Sequence, residues 1–212
     1  MVTLEIFSDY ICPWCYFCTM RVARLQSSFD IEIEYRQFPL HPETPESGLT
    51  LEELFAGRNL DVPAAQARIA QLIAEEGLPY GKRTMTYNSR LAQELAKWAE
   101  TQVGGQQIHD ALFRAYFVDN VNLANIDNLV AIAQRIGLPP AETKRVLVDR
   151  SFRESVDTDW QRSRELGISS VPTFVIGDHA IAGAQTYEQL EAFVVSAGAR
   201  QRESISQQNG RA

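Results

Sequence analysis

The chain has 212 residues, 45% of them hydrophobic, with 20 Lys plus Arg against 27 Asp plus Glu for a formal charge of -7. That much apolar material can bury a sizeable core, which excludes a small disulfide-stapled scaffold, and the acidic balance speaks against phosphate backbones and anionic lipid as partners. Residues 1–10 hold Glu5 and Asp9 but no Lys or Arg, and no charge-free run is long enough to span a bilayer, so the expectation is a soluble cytoplasmic protein with no nucleic-acid and no membrane partner.

Residues 3–7 alternate, with Leu4 and Ile6 on one face, and residues 31–38 alternate through Ile31, Ile33 and Tyr35, so both read as strands. Between them Cys15, Cys18, Val22, Leu25 and Phe29 recur at helical spacing, the apolar stripe of one helix packed on a sheet, with Cys12 at its edge. Such a crossover makes the two strands parallel and sets the cysteines where the first strand meets the helix N-terminus. Residues 39–48 form a Pro-rich connector. From about residue 50 to residue 167 strand-like alternation is almost absent, and the punctuation is helical. Asp61 with Pro63 opens one helix, Asn88 precedes Leu91, Leu95 and Trp98, and Gly104-Gly105 precedes Ile108, Leu112, Phe113 and Phe117. Further helices are expected over residues 126–137, after Pro139-Pro140, and through Phe152, Val156 and Trp160 to Gly167. Residues 171–176 and 180–182 read as two strands around Gly177-Asp178. Thr186 and Gln189, at capping-box spacing, then open a last helix that Gly198 stops. Residues 200–212 have the composition of a mobile tail.

Cys12, Cys15 and Cys18 are the only cysteines, and they lie within seven residues of one another. Cys12-Pro13-Trp14-Cys15 stands where free backbone N–H groups and the positive end of a helix dipole stabilise an anion. With Pro13 as the first helical residue, Cys12 is the cap, and its sulfur is placed to accept from the N–H of Trp14 or Cys15. A thiolate there is expected well below the ~8.5 of a free cysteine. No Lys, Arg or His lies within eight residues of Cys12, so the backbone must supply most of that effect. Cys15, one turn on and facing the core, is placed to attack a mixed disulfide on Cys12.

A CxxC that ends a strand and opens a helix in a βαβ pattern reads as a thioredoxin-like redox motif. A metal does not fit. On a helix, Cys12 and Cys18 are separated by about 9 Å of rise and roughly 240° of rotation, whereas zinc needs its sulfurs within ~2.3 Å of one point. An iron–sulfur cluster needs a fourth cysteine. Cys18 reads as a small buried apolar residue, and His41, His109 and His179 lack metal-ligand spacing. Pro172, in Ser169-Ser170-Val171-Pro172-Thr173, reads by itself as an ordinary strand-edge proline with a trans bond.

These segments also carry a resemblance. The strand ending Ser8-Asp9, Cys12-Pro13-Trp14-Cys15-Tyr16, Asn88-Ser89, residues 111–117, Gly167 with Val171-Pro172-Thr173-Phe174-Val175-Ile176, and Gly183-Ala184-Gln185 occur in matching order over residues 2–198. Together they resemble the DsbA-like thioredoxin-fold family in its FrnE-like cytoplasmic branch. The resemblance implies an α/β fold, a thioredoxin-like core (β-α-β … β-β-α) of residues 1–48 and 168–198, with a large all-helical insertion or lid over residues 49–167 and a polar tail over 199–212. It implies a thiol-disulfide oxidoreductase with Cys12 as nucleophile and Cys15 as resolver. Pro13, Trp14, Val171 and Pro172 would bind substrate, the Val171-Pro172 bond being cis and the Val171 backbone free to hold an extended chain. Partners would be protein thiols and disulfides or glutathione. No cofactor is expected beyond the redox-active cysteine pair, with glutathione as candidate co-substrate.

The chain departs from that pattern in three places. Many thioredoxin-fold enzymes carry a buried carboxylate six residues before the first cysteine; here Ile6 stands there, which leaves Glu5 or a water to handle the resolving thiol's proton. The dipeptide lacks the histidine of strongly oxidising periplasmic relatives, and Cys18 stands where Gly is common. Glutathione-dependent 2-hydroxychromene-2-carboxylate isomerases and kappa-type transferases share the Asn88-Ser89 region and the lid but usually have serine at the first cysteine, so that reading stays open as the enzymatic alternative. A chaperone-like peptide-binding module, with Trp14, Phe38, Leu40 and Tyr80 as an apolar groove, is the non-enzymatic alternative. The direction of exchange and the oligomeric state stay open.

Overall fold

Strand β1 (Val2–Ser8) alternates as its side chains require and is buried from Leu4 onward. In the computed structural model, which describes residues 1–202, the chain turns after β1 into helix α1 (Pro13–Ser28) and returns as β2 (Ile31–Gln37). The two strands are parallel from Val2↔Ile31 to Ser8↔Gln37. Pro13 starts α1 without loss because a first-turn N–H has no intrahelical acceptor, and the N–H of Phe29 donates to Leu25 O to close the helix.

The insertion then begins with two short segments that strand alternation could not reveal, β3 (Leu49–Thr50) and, after α2 (Leu51–Leu54) and α3 (Val62–Glu75), β4 (Met85–Thr86). They pair antiparallel, Leu49↔Thr86 and Thr50↔Met85, so the expected all-helical insertion carries a two-residue ladder. Two residues are too few to show a period of two. Five helices follow: α4 (Arg90–Ala99), α5 (Ile108–Phe117), α6 (Ile126–Arg135), α7 (Pro140–Val148) and α8 (Arg153–Glu165). Asp61 caps α3 by accepting from Ala64 N at 2.9 Å. Asn88, just before the N-cap Ser89, accepts from Arg90 N at 2.9 Å through Oδ1 at the start of α4, while its Nδ2 donates to Pro42 O and Thr44 O, at 3.0 and 2.9 Å, and ties down the Pro-rich connector.

The chain re-enters the sheet as β5 (Thr173–Ile176) and β6 (His179–Ala182), then ends in α9 (Tyr187–Ser196), whose capping box joins Thr186 and Gln189. The sheet order is β2-β1-β5-β6, with β5 antiparallel to both neighbours. One apolar cluster runs from Leu4 and Phe7 through Leu112, Phe113 and Phe117 to Leu147, so core and insertion bury each other. A charged seam joins α8 to the sheet. Glu5 accepts from Arg36 Nε at 2.7 Å and Arg162 Nη2 at 2.5 Å, and Asp159 accepts from Gln37 N at 3.1 Å.

The stretch whose composition reads as a tail is held at its start. Asp30 N donates to Arg200 O and Arg202 N to Ser28 O, both at 2.8 Å, because the strand-like segment at Phe29 leaves an edge to pair with Gln201. The rest of that expected tail, residues 203–212, lies outside the described residues. Among the described residues no helix is long and apolar enough to cross a membrane.

Candidate active site

Cys12 is the N-cap of α1, with extended backbone angles of -85° and 114°. Its carbonyl accepts from Cys15 N and Tyr16 N at 3.1 and 3.2 Å, and its own N–H donates to Asp9 O at 3.0 Å. The sulfur does not cap the helix, contrary to the expectation that it would accept from Trp14 or Cys15. It donates instead to Val171 O at 3.4 Å, across a separation of 159 residues. A β-region cap can aim its side chain at either the helix end or a neighbouring strand, and here the entry to β5 wins. The Val171–Pro172 bond is cis, and Pro172 O accepts from Gly183 N at 2.8 Å, anchoring that entry to the turn after β6.

The two sulfurs are unequal. Cys15 is 4% exposed; burial first, and then the Cys12 sulfur beside it, push its thiol well above the ordinary range, against the opposing pull of the Ser8 side chain and the Asp9 backbone. Cys15 is therefore held as a thiol. Cys12 is only 2% exposed, with the Val171 carbonyl accepting from its sulfur. Trp14, one residue from Pro13, is 37% exposed and meets the Phe17 ring edge-on at 6.0 Å, presenting an apolar face at the mouth of the site. Cys18 is 2% exposed on the core stripe, and burial pushes its thiol up to about 12.

Sequence reasoning passed over the carboxyl that lies closest in the chain to the motif. Asp9 is fully buried in the turn between β1 and α1. Its side chain accepts from Ile11 N at 3.2 Å, Leu40 N at 3.1 Å, Ser89 Oγ at 3.0 Å and Gln93 Nε2 at 3.1 Å. Burial raises it from 3.8 to about 6, opposed first by the Ser89 hydroxyl and then by the backbone N–H groups. Through Ser89 and Gln93 it links the cysteine loop to α4, and Gln93 passes the chain on to the Trp160 indole N–H, which donates to Gln93 Oε1 at 2.9 Å. The signal in the sequence was Ser8-Asp9 itself, a carboxyl at a strand end with no local reason to be exposed. Glu5, the residue suggested for this work, is taken: Arg162 and Arg36 hold it on the seam to α8.

Of the residues named from sequence, Cys12, Cys15, Val171 and Pro172 come together, with Pro13 and Trp14 on the rim. The groove drawn from Trp14, Phe38, Leu40 and Tyr80 does not form as a set: Phe38 is buried and its carbonyl accepts from Gln93 Nε2 at 2.9 Å, while Tyr80 stacks on Phe117 at 5.9 Å. Among the histidines, His109 is buried, with its Nδ1 2.8 Å from Tyr10 Oη. Among the described residues no three His, Cys, Asp or Glu are grouped to hold a metal ion.

Comparison with known proteins agrees with this fold. Uncharacterised protein YwbO of Bacillus subtilis is 28% identical over 191 residues, 90% of this chain and 94% of that one. The crystal structure of SCO1869 from Streptomyces coelicolor, described as a probable DsbA oxidoreductase, superposes with a TM-score of 0.85 at 26% identity, covering 97% of this chain and 94% of the other. The cytosolic disulfide reductase DsbM of Pseudomonas aeruginosa, which has also been solved with GSH, shares the fold at 19% identity and a TM-score of 0.70, over 92% and 98% of the two chains. The profile of the DSBA-like thioredoxin domain matches residues 3–195. With a β-α-β … β-β-α sheet, a helical insertion and a family match over nearly its whole length, the chain belongs to the DSBA-like thioredoxin family.

Proposed function

We propose that this protein is a thiol-disulfide oxidoreductase acting through Cys12 and Cys15, in the FrnE-like cytoplasmic branch of its family, on protein disulfides or on small thiols. The observation that carries the reading is the placement of Cys12 Sγ at the N-terminus of α1, next to Cys15 and 3.4 Å from Val171 O. In the reducing direction Cys12 Sγ, as thiolate, attacks one sulfur of a substrate disulfide; the S–S bond breaks and the departing thiolate takes a proton. Cys15 then loses its proton and attacks Cys12 Sγ of the mixed disulfide. The second substrate thiol leaves, so two electrons have passed from the cysteine pair to the substrate and a Cys12–Cys15 disulfide remains. The oxidising direction is the reverse. Trp14 and the Val171 backbone would seat the substrate on either side of the reacting sulfur.

Glutathione is the small-thiol partner we favour, because a fold relative, DsbM, has been solved with GSH. The test is exchange with a peptide disulfide and with glutathione disulfide, together with trapping in Cys15→Ser. Cys12→Ser should abolish turnover, and Cys15→Ser should accumulate a mixed disulfide at Cys12. Glutathione binding with isomerase turnover that persists in Cys12→Ser would instead favour the glutathione-dependent isomerase. Client protection undiminished in a Cys12→Ala, Cys15→Ala double variant would favour the peptide-binding module.

A further inference from the structure

Away from the cysteines, α3 and the residues leading into β4 enclose a cavity of about 450 Å³, within the size range of small-molecule sites. Most of its wall is apolar: Leu51, Val62, Pro63, Ala67, Ala70 and the ring of Tyr80. Two cations also line it. Lys82 is exposed, whereas Arg83 is only 8% exposed, and its Nε and Nη1 are sealed with no hydrogen-bond partner. Among the described residues no carboxylate lies in ion-pair range of Arg83.

A buried guanidinium without a counter-charge is costly. Its cation–π contacts, 5.4 Å to the Tyr116 ring centroid and 5.6 Å to that of Phe117, return only part of that cost. Nε and Nη1 expose almost no surface, so a ligand in the cavity would meet Arg83, a residue of its wall, through Nη2, which is not among the sealed atoms. Glu52 also lines the cavity, from an exposed position, and its negative charge disfavours a polyanion such as a phosphate ester while tolerating a single charge. None of Cys12, Cys15, Val171 or Pro172 lines the cavity. The aromatic stack of Tyr80 on Phe117 at 5.9 Å and Phe117 on Tyr16 at 4.9 Å stands between it and the cysteine helix.

We propose that this cavity is a second binding site, for a small amphipathic carboxylate whose acid group is drawn to Arg83 and Lys82 while its apolar body lies against Leu51, Val62, Ala67, Ala70 and Tyr80. The proposal is independent of the reaction at Cys12. Calorimetric titration of the full-length reduced protein with octanoate tests it, with 1-octanol as the neutral probe of equal chain length and inorganic phosphate as the apolar-free anion. Octanoate should bind once per chain and 1-octanol at least about tenfold more weakly, as expected for the loss of a charge-assisted contact. Arg83→Gln should bring octanoate down to the 1-octanol level. Ala70→Leu should abolish binding of both by filling the cavity, without altering disulfide exchange, and because it leaves Arg83 in place it carries the test if Arg83→Gln does not fold. Equal affinity for octanoate and 1-octanol, octanoate binding unchanged in Ala70→Leu, or binding of phosphate alone would each overturn the assignment.

Discussion

Replacing Asp9 with Asn separates the charge of this carboxyl from its place in the fold. Burial raises Asp9 from 3.8 to about 6 in spite of the donors around it. A carboxyl that holds its proton more tightly folded than unfolded adds stability below pH 3.8, and that contribution is lost as the pH rises through about 6. At ~1.4 kcal/mol for each pH unit, the whole span is worth about 3 kcal/mol. Asn is neutral throughout. With its oxygen in the place of Oδ2 it still accepts from Leu40, Ser89 and Gln93, but its NH2 then faces Ile11 N, which loses its acceptor at a cost of ~1–3 kcal/mol. That cost does not depend on pH, so it cancels when the two proteins are compared across a pH series. Urea unfolding of both proteins, kept reduced, between about pH 4 and pH 7.5 should show the wild type losing about 2–3 kcal/mol relative to Asp9→Asn. A difference that stays level over that range would refute the assignment of Asp9 as a buried group that takes up its proton near 6.

Iodoacetamide applied to the reduced native protein at about pH 8 should label Cys12 and spare the other two thiols, since burial pushes Cys15 well above its ordinary range and Cys18 up to about 12; peptide mapping that finds label on Cys18 would contradict this. After mild peroxide the same mapping should find Cys12–Cys15 as the disulfide, with Cys18 reduced. Glu5→Gln should lower stability by about 2 kcal/mol in urea, because it weakens the bonds from Arg162 and Arg36, while leaving the rate of disulfide exchange unchanged; a loss of exchange at full stability would return Glu5 to the proton-handling role.

Local periodicity made much of the fold legible. The alternation of residues 3–7 and 31–38 and the stripe from Cys15 to Phe29 describe β1, α1 and β2, and the spacing of Thr186 and Gln189 describes the capping box of α9, because each depends on residues within a few positions of one another. The two-residue ladder of β3 and β4 escaped because a pairing that short has no period to show. The Cys12–Cys15 spacing and its position between strand and helix are likewise local facts, and they carried the chemistry of the proposal.

What the amino-acid order alone determined is thus the succession of the longer elements and the arrival of two thiols at the start of α1. Tertiary structure decided which group each of those elements meets. Cys12 Sγ turns to Val171, 159 residues away, instead of capping its own helix. Asp9 becomes a buried carboxyl only because Ser89 and Gln93 of the insertion close over it, and Glu5 is lost to the site because Arg162 comes down from α8. Burial and pairing are sums over neighbours distant in the chain, so no reading of adjacent residues contains them.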